Sequence, residues 1–376
     1  MTFQFKAIKT VTCFLFIIFF GSCSNVDNVI VIHPLDSDYD LFSISVIKSI
    51  QLSNQDEALI GSIDKLLQYK NYLYVLDKKK TSSLLIFNLD GTLEKRIPRG
   101  KGPGEIVDVE NFDIINEMLV ISDQFQMKYY SLNGQFDHSI KLPEGWFAWS
   151  IIGLDNSKVL LHGSASLENS IHPTEFAKYH IVDNKFSKCF NSYYSINREY
   201  LPFIESQPAC YYNGRILISG RPDSYIYEID GTNFKKKYFV DFVDFNFSES
   251  DIDKGRENFF RLYKNGKRFG LLDNIIENKS IIHFIYGAWF GEKGHAVPIV
   301  YSKEHNKSAR FNDLLENEGL PKMSISHGQD EKFICFFQPT ELSDEEIQKI
   351  NSSRLFESEI TCESNPIIVV VEVIIS

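Results

Sequence analysis

The sequence predicts an all-β fold, a six-bladed β-propeller built from four-stranded antiparallel blades. Three observations predict it. A cassette of apolar strand, polar gap, second strand and tight turn recurs along the chain. Its turn landmarks, Gly91, Gly134, Asn184 and Gly231, step by 43, 50 and 47 residues, and a period of about 40–50 residues carrying several strands marks a propeller blade. Finally, an alternating segment precedes the first repeat, and an apolar strand closes the chain.

The cassettes read LYVLDKKKTSSLLIFNLDG at 73–91, LVISDQFQMKYYSLNG at 119–134 and RILISGRPDSYIYEIDG at 215–231, with a weaker copy over 159–184. Their short runs of Leu, Val, Ile, Tyr and Phe have strand length and suit a pleated, buried surface. Asp90-Gly91, Asn133-Gly134 and Asp230-Gly231 are expected to form two-residue hairpin turns. A fifth blade is expected from IIHFIY (281–286) to PIVYS (298–302). A sixth combines KFICFF (332–337) with PIIVVVEVII (366–375). FSISVIKSIQLS (42–53) is expected to complete that last blade beside 366–375, closing the ring by pairing the two ends. Six blades fit this count better than seven.

The N-terminus carries Lys6 and Lys9, then VTCFLFIIFFG (11–21) and Ser22-Cys23. A basic start, a short apolar core and small residues before a break form a secretory signal, too short to span a bilayer. The expected organisation is a signal over 1–22, a tether over 23–40 and the propeller over 41–376. Helical insertions are expected near 248–264 and 343–356. Ser248 with Asp251 and Ser343 with Glu346 have capping-box spacing.

The formal charge is −11, and removing Lys6 and Lys9 with residues 1–22 leaves −13. No lasting basic stretch offsets it, so nucleic acid is not an expected partner. The four cysteines Cys189, Cys210, Cys335 and Cys362 lack C-x-x-C or metal-ligand spacing; a Cys335–Cys362 disulfide would lie within one blade.

Successive connections in a propeller alternate between two faces. The short Gly turns share one face. The other is expected to collect GKGPGE (100–105), LPEGWFAWS (142–150), 162–176, GRPDS (220–224) and YGAWFGEKGHAVP (286–298). Long loops on a rigid scaffold are where binding usually lives. The candidate ligand-binding residues there are Arg99, Lys101, Glu105, Trp146, His162, Arg221 and Trp289. Of the three tryptophans, Trp149, with its neighbour Phe147, is expected to fill the wedge between blades; Trp146 and Trp289 stay open between core and ligand.

Specific chemistry finds little support. The 99–105 segment lacks the order of a phosphate loop, and Lys101 sits among the glycines instead of closing them. Asp77, Asp123 and His162 end equivalent strands, where a metal site would need them to converge; an Asp there more often caps its own backbone. No H-x-H, H-E-x-x-H or G-x-S-x-G pattern occurs. Arg256, Arg261, Lys264, Lys267 and Arg268 form the one basic cluster, best explained as a solvated helix face.

With Phe20-Gly21-Ser22-Cys23, YLYVLD (72–77), IFNLDG (86–91), GKGPGE (100–105) and SNPIIVVVEV (364–373) in view, the chain resembles the six-bladed β-propeller lipoproteins abundant in Bacteroidetes, relatives of NHL-repeat propellers. The likeness covers nearly all of the mature chain, with GKGPGE and the Asn-Pro-apolar end its most specific parts. The 241–280 insertion and the fifth blade depart from it. The resemblance implies a lipid on Cys23, an outer-membrane envelope location, periplasmic or surface-exposed, and a membrane partner through that anchor. Most such proteins have no established biochemical role. The function expected is a non-catalytic binding or scaffold module for a glycan, peptide or protein, with no cofactor. The alternative is a metal-dependent propeller lactonase or lyase with acidic and His ligands at the central channel.

Overall fold

The computed structural model describes residues 29–142, 146–165, 174–183, 185–191, 209–220, 223–230, 233–353, 356 and 359–376. Cys23 and Arg221 therefore lie outside the described residues. Six sheets form the ring. In each, a strand of the recurring cassette has neighbours on both faces, and this explains the composition. In blade 1, Leu73, Val75, Leu85 and Phe87 point into a core shared with Ile50, Ile334 and Ile368 of blade 6. The alternate residues Tyr74, Leu76, Leu84 and Ile86 point into a core shared with Phe112, Leu119 and Ile121 of blade 2. Period-2 alternation thus feeds two wedges at once, so the strand reads as continuously apolar. Four more wedges join blades 2–3, 3–4, 4–5 and 5–6.

Blades 1 to 5 are meanders from the axis outward. Their inner strands are Lys65–Tyr69, Val109–Ile115, Trp146–Asp155, Ala209–Tyr212 and Gly270–Glu277. Blade 6 places Ser324–Gln329 innermost, then Lys332–Phe337 and Ile367–Ile375, with Phe42–Gln51 outermost. The closing strands run antiparallel from Phe42 opposite Ile375 to Gln51 opposite Ile367. Ring closure by the two ends is therefore as expected.

Three expectations are corrected. The turns at Gly91 and Gly134 are not two-residue turns with two positive angles, and Gly231 lies outside the described residues. Gly91 (φ +86°) and Gly134 (φ +81°) are positive, while Asp90 and Asn133 are not. Gly91 N donates to Asn88 O and Asn88 N to Thr92 O, a three-residue loop ending in a left-handed glycine. A Cβ on Gly91 would lie 2.0 Å from Gln51 O, so the closing strand itself excludes a side chain there.

Secondly, residues 30–40, expected within the tether, are packed. Ile30–Ile32 adds a fifth, parallel strand to the outer edge of blade 4, opposite Tyr238–Val240. Ile32 is buried, with Ile30 and Leu35 beside it. Asp38 N then donates to Ser308 O of blade 5, and Tyr39 Oη to Asp313. The apolar pattern of VIVIHPL (29–35) carries this strap across three blades.

Thirdly, 286–298 is not a long loop. Strands Ile281–Phe290 and Lys293–Ser302 stay paired to their tips, with Phe290 opposite Lys293.

Of the other loops expected on the long-loop face, residues 143–145, 166–173 and 221–222 lie outside the described residues; the helical connections leave from the same ends of the blades as the 98–108 crossover. Helix α1 (Glu249–Asp253) and α2 (Arg256–Lys264) follow blade 4, α3 (Phe311–Asn317) follows blade 5, and α4 (Asp344–Ser352) interrupts blade 6. Both capping boxes form. Gly255, at φ +87°, divides the expected single helix near 248–264 into two. Among the described residues no helix is long and apolar enough to cross a membrane.

Candidate functional site

The axis comes first, because it is where the alternative chemistry would sit. Polar side chains join neighbouring blades on and beside the innermost strands. Lys65 Nζ donates to Asn111 Oδ1 at 2.9 Å and to Phe112 O at 2.6 Å, joining blades 1 and 2. Asp113 accepts from Gly153 N at 2.7 Å, joining blades 2 and 3. Arg215 and Glu277 pair at 2.6 Å between blades 4 and 5. Asn274 Nδ2 donates to Ile325 O between blades 5 and 6, and Ser326 Oγ exchanges bonds with Leu66 between blades 6 and 1. Burial lowers the Lys65 ammonium pKa and raises that of the Asp113 carboxyl. Burial, reinforced by the charge of Lys65, pushes the His327 imidazole down to about 4. A lysine in this channel opposes a divalent cation rather than holding one.

Asp77 and Asp123 cap loops. Asp77 accepts from Gly61 N, Lys80 N, Thr81 N and Ser62 Oγ. Asp123 accepts from Val107 N and Asp108 N and pairs with Lys128 at 2.7 Å. His162 is buried, its ring stacked 4.6 Å from Phe176. Among the described residues no three His, Cys, Asp or Glu side chains converge to hold a metal. Cys210, Cys335 and Cys362 are free thiols; Cys335 is buried and Cys362 exposed.

The crossover 98–108 is sealed by its own atoms. Glu105 turns back so that its carboxylate accepts from Gly102 N at 2.6 Å. Gly100 N donates to Ile106 O, and Ile106 N to Pro98 O. Arg99 and Lys101 remain exposed on the rim, while Glu105 is committed to the loop.

The tryptophans exchange the roles expected of them. Trp146 is 4 % exposed and fills the wedge between blades 2 and 3. Trp149, expected in the wedge, is only half-buried. The pairing of this strand skips from Ala148–Gly163 to Ser150–His162, so Trp149 is the extra residue of a β-bulge. Bulges bend a strand and re-aim a side chain. Its indole stands 6.2 Å from the half-buried Phe147 ring, which stands 5.6 Å from Phe125. Phe125, on the tight turn between Asp123 and Gln126, is 56 % exposed. The three rings form an open aromatic row on the long-loop face. Sequence reasoning missed Phe125 because its turn is short, and misassigned Trp149 because a bulge leaves no periodic signal.

Trp289 is half-buried beneath the helical insertion, edge-on to Tyr263 at 6.0 Å. Gly294 gives its ring room, since a Cβ there would lie 2.9 Å from the indole. Arg268 of the basic cluster is paired with Asp251, and Arg261 bonds Asn258.

A family model, described as a domain of unknown function (DUF4934), matches residues 39–372. The chain belongs to the DUF4934 family. The match begins at the closing strand, so the DUF4934 unit is the whole ring. Two solved structures share its architecture. A protein from Bacteroides fragilis, described as exported, has 16 % identity and a TM-score of 0.69, with 92 % of this chain and 99 % of that one covered. A DUF4221-family member from Bacteroides vulgatus has 9 % identity and a TM-score of 0.55, with 90 % and 100 % covered. At these identities the likeness is one of fold. No curated protein matches this DUF4934 chain.

Proposed function

We propose that this DUF4934 protein is a non-catalytic binding module of the bacterial cell envelope, anchored through a lipid on Cys23. It takes a glycan, peptide or protein partner on its long-loop face. The observation that carries this reading is the row Phe125–Phe147–Trp149, open on a rigid ring. Aromatic faces give sugars and apolar side chains a large contact area at little cost in conformational entropy. The basic and apolar N-terminus, the Ser22-Cys23 junction and the polar residues that follow support the envelope location. So does the fold shared with a Bacteroides protein described as exported. Against the metal-dependent lactonase or lyase reading stand the buried Lys65 on the innermost strand of blade 1 and strand-end carboxylates spent on backbone N–H groups.

The test is a glycan and peptide array probed with wild-type protein and with Trp149→Ala. Spots bound by wild type and lost in the variant, with an unchanged melting temperature, support the site. Equal binding by both proteins removes it.

A further inference from the structure

Exposed apolar side chains also gather on blades 4 and 5, away from the aromatic row. Val243 is 65 % exposed, Phe245 38 % and Phe290 49 %. Phe245 stacks on Phe269 at 4.5 Å, and Phe290 meets the same ring edge-on at 5.5 Å. A single buried aromatic thus props up two exposed ones. Phe269 N donates to Phe245 O at 2.9 Å, fixing the loop that carries Val243 and Phe245. The rim is built, not frayed.

Where the chain enters the propeller says what covers this rim. Ile30–Ile32 runs parallel to Tyr238–Val240, and Asp241 N donates to Ile32 O. The chain therefore enters at Ile30, opposite Tyr238, roughly 17 Å of strand rise before Val243, and runs toward it. Between Cys23 and Val29 lie six peptide steps, at most roughly 20 Å of extended chain. That length covers the rise back to Val243, so a lipid on Cys23 would hold this edge of blade 4 near the bilayer and leave the opposite side of the ring out of reach. Charge agrees. Residues 241–270 carry six acidic and six basic side chains, a neutral patch in a chain of formal charge −11. Lys264, Lys267 and Lys293 are exposed around the rim, with Asp244 and Glu292 between them. Apolar side chains in a charge-balanced setting with lysines at hand suit the headgroup boundary, and the acidic remainder is repelled by an anionic leaflet.

We propose that the rim of Val243, Phe245 and Phe290 is the surface on which the propeller rests against a phospholipid bilayer. This rests on the lipid-anchor reading above. The shallow insertion of three side chains orients the protein, and the acyl chains retain it.

The test is hydrogen exchange on the full, processed protein in vesicles of phosphatidylethanolamine and phosphatidylglycerol at three to one. The reference is the Cys23→Ser protein in buffer. The expected result is release of Cys23→Ser from membranes, with amides of 243–247 and 289–293 exchanging at least fivefold more slowly on vesicles. Phe245→Ser/Phe290→Ser, still lipidated, loses that protection; a melt matching wild type shows that its fold is intact, and Val182→Ser on the turn face keeps it. Release without protection overturns the rim and leaves the anchor standing. If Cys23→Ser stays on membranes, the anchor reading falls. The rim then survives only where adding Phe245→Ser/Phe290→Ser releases the protein. Protection that appears in soluble Cys23→Ser as concentration rises assigns the rim to a second copy and overturns the proposal.

Discussion

Asn365 clasps Asn54 across the seam of the ring: its backbone N–H donates to the Asn54 side-chain oxygen at 2.7 Å. The Asn365 side chain completes the clasp, accepting from Ile60 N at 3.0 Å and donating to Ser53 O at 2.5 Å and Ala58 O at 2.9 Å. One 4 % exposed amide thus ties the last blade to the segment leading into the first.

Asn365→Ala would strand the half-buried Ile60 N–H and two carbonyls. At about 1–3 kcal/mol for an unsatisfied group, shared with what water can reach, the expected loss is roughly 3 kcal/mol. Urea unfolding measures it. Deleting 366–376 goes further and should abolish the single sharp transition. A truncated protein that melts as cooperatively as the intact chain would contradict closure by the two ends.

The two tryptophans of one strand should behave oppositely. Trp146→Ala empties part of a wedge and should cost about 3–5 kcal/mol. Trp149→Ala should change stability little and weaken binding to any probe the array identifies. A destabilised Trp149→Ala with intact binding would return that residue to the core.

Acid should loosen the ring through two histidines. His283 is fully buried, its Nδ1 2.9 Å from Ile299 O, and burial holds it at about 4; His327 is held at about 4 as well. Below the ordinary value of 6.5 the unfolded chain binds protons that the folded chain refuses. Their contribution is therefore complete above pH 6.5 and falls as pH drops toward 4, by about 3 kcal/mol per histidine. Comparing stability from pH 7 to 4 in wild type and His283→Gln isolates one share. Parallel curves would exclude it.

The crossover should be sensitive at Gly100 and indifferent at Lys101. A Cβ on Gly100 would lie 2.0 Å from the Glu105 carboxylate, displacing it from Gly102 N. Gly100→Ala should cost about 1–2 kcal/mol, and Lys101→Ala under about 0.5. Equal losses in the two melts would show that the loop is not held by Glu105.

The architecture was legible because propeller strands bury both faces, so Leu73, Tyr74, Val75 and Leu76 announce a wedge on either side. Closure was legible because Phe42–Gln51 precedes the first cassette and lacked a partner there, while the sixth blade stood short of a strand beside Ile367–Ile375. The candidate site was not. Whether Trp146 or Trp149 surfaces depends on one skipped pairing, invisible to a period of two. Glu105 looked available for a ligand because its target, Gly102 N, is a backbone group that no side-chain pattern reveals. The strap over 30–41 was hidden by polar neighbours, though its alternation was present in VIVIHPL.

The join between first and last strands has a consequence for synthesis. A chain made from its N-terminus delivers Phe42–Gln51 early and Ile367–Ile375 last. Until then the outer strand of the sixth blade has no ladder to enter, and Ile50 and Leu52 have no opposing Ile368 to cover them. Non-local pairing of this kind folds late. The ring therefore cannot close until the last strand is made, and an interrupted chain leaves an open, adhesive arc for proteases and chaperones to clear.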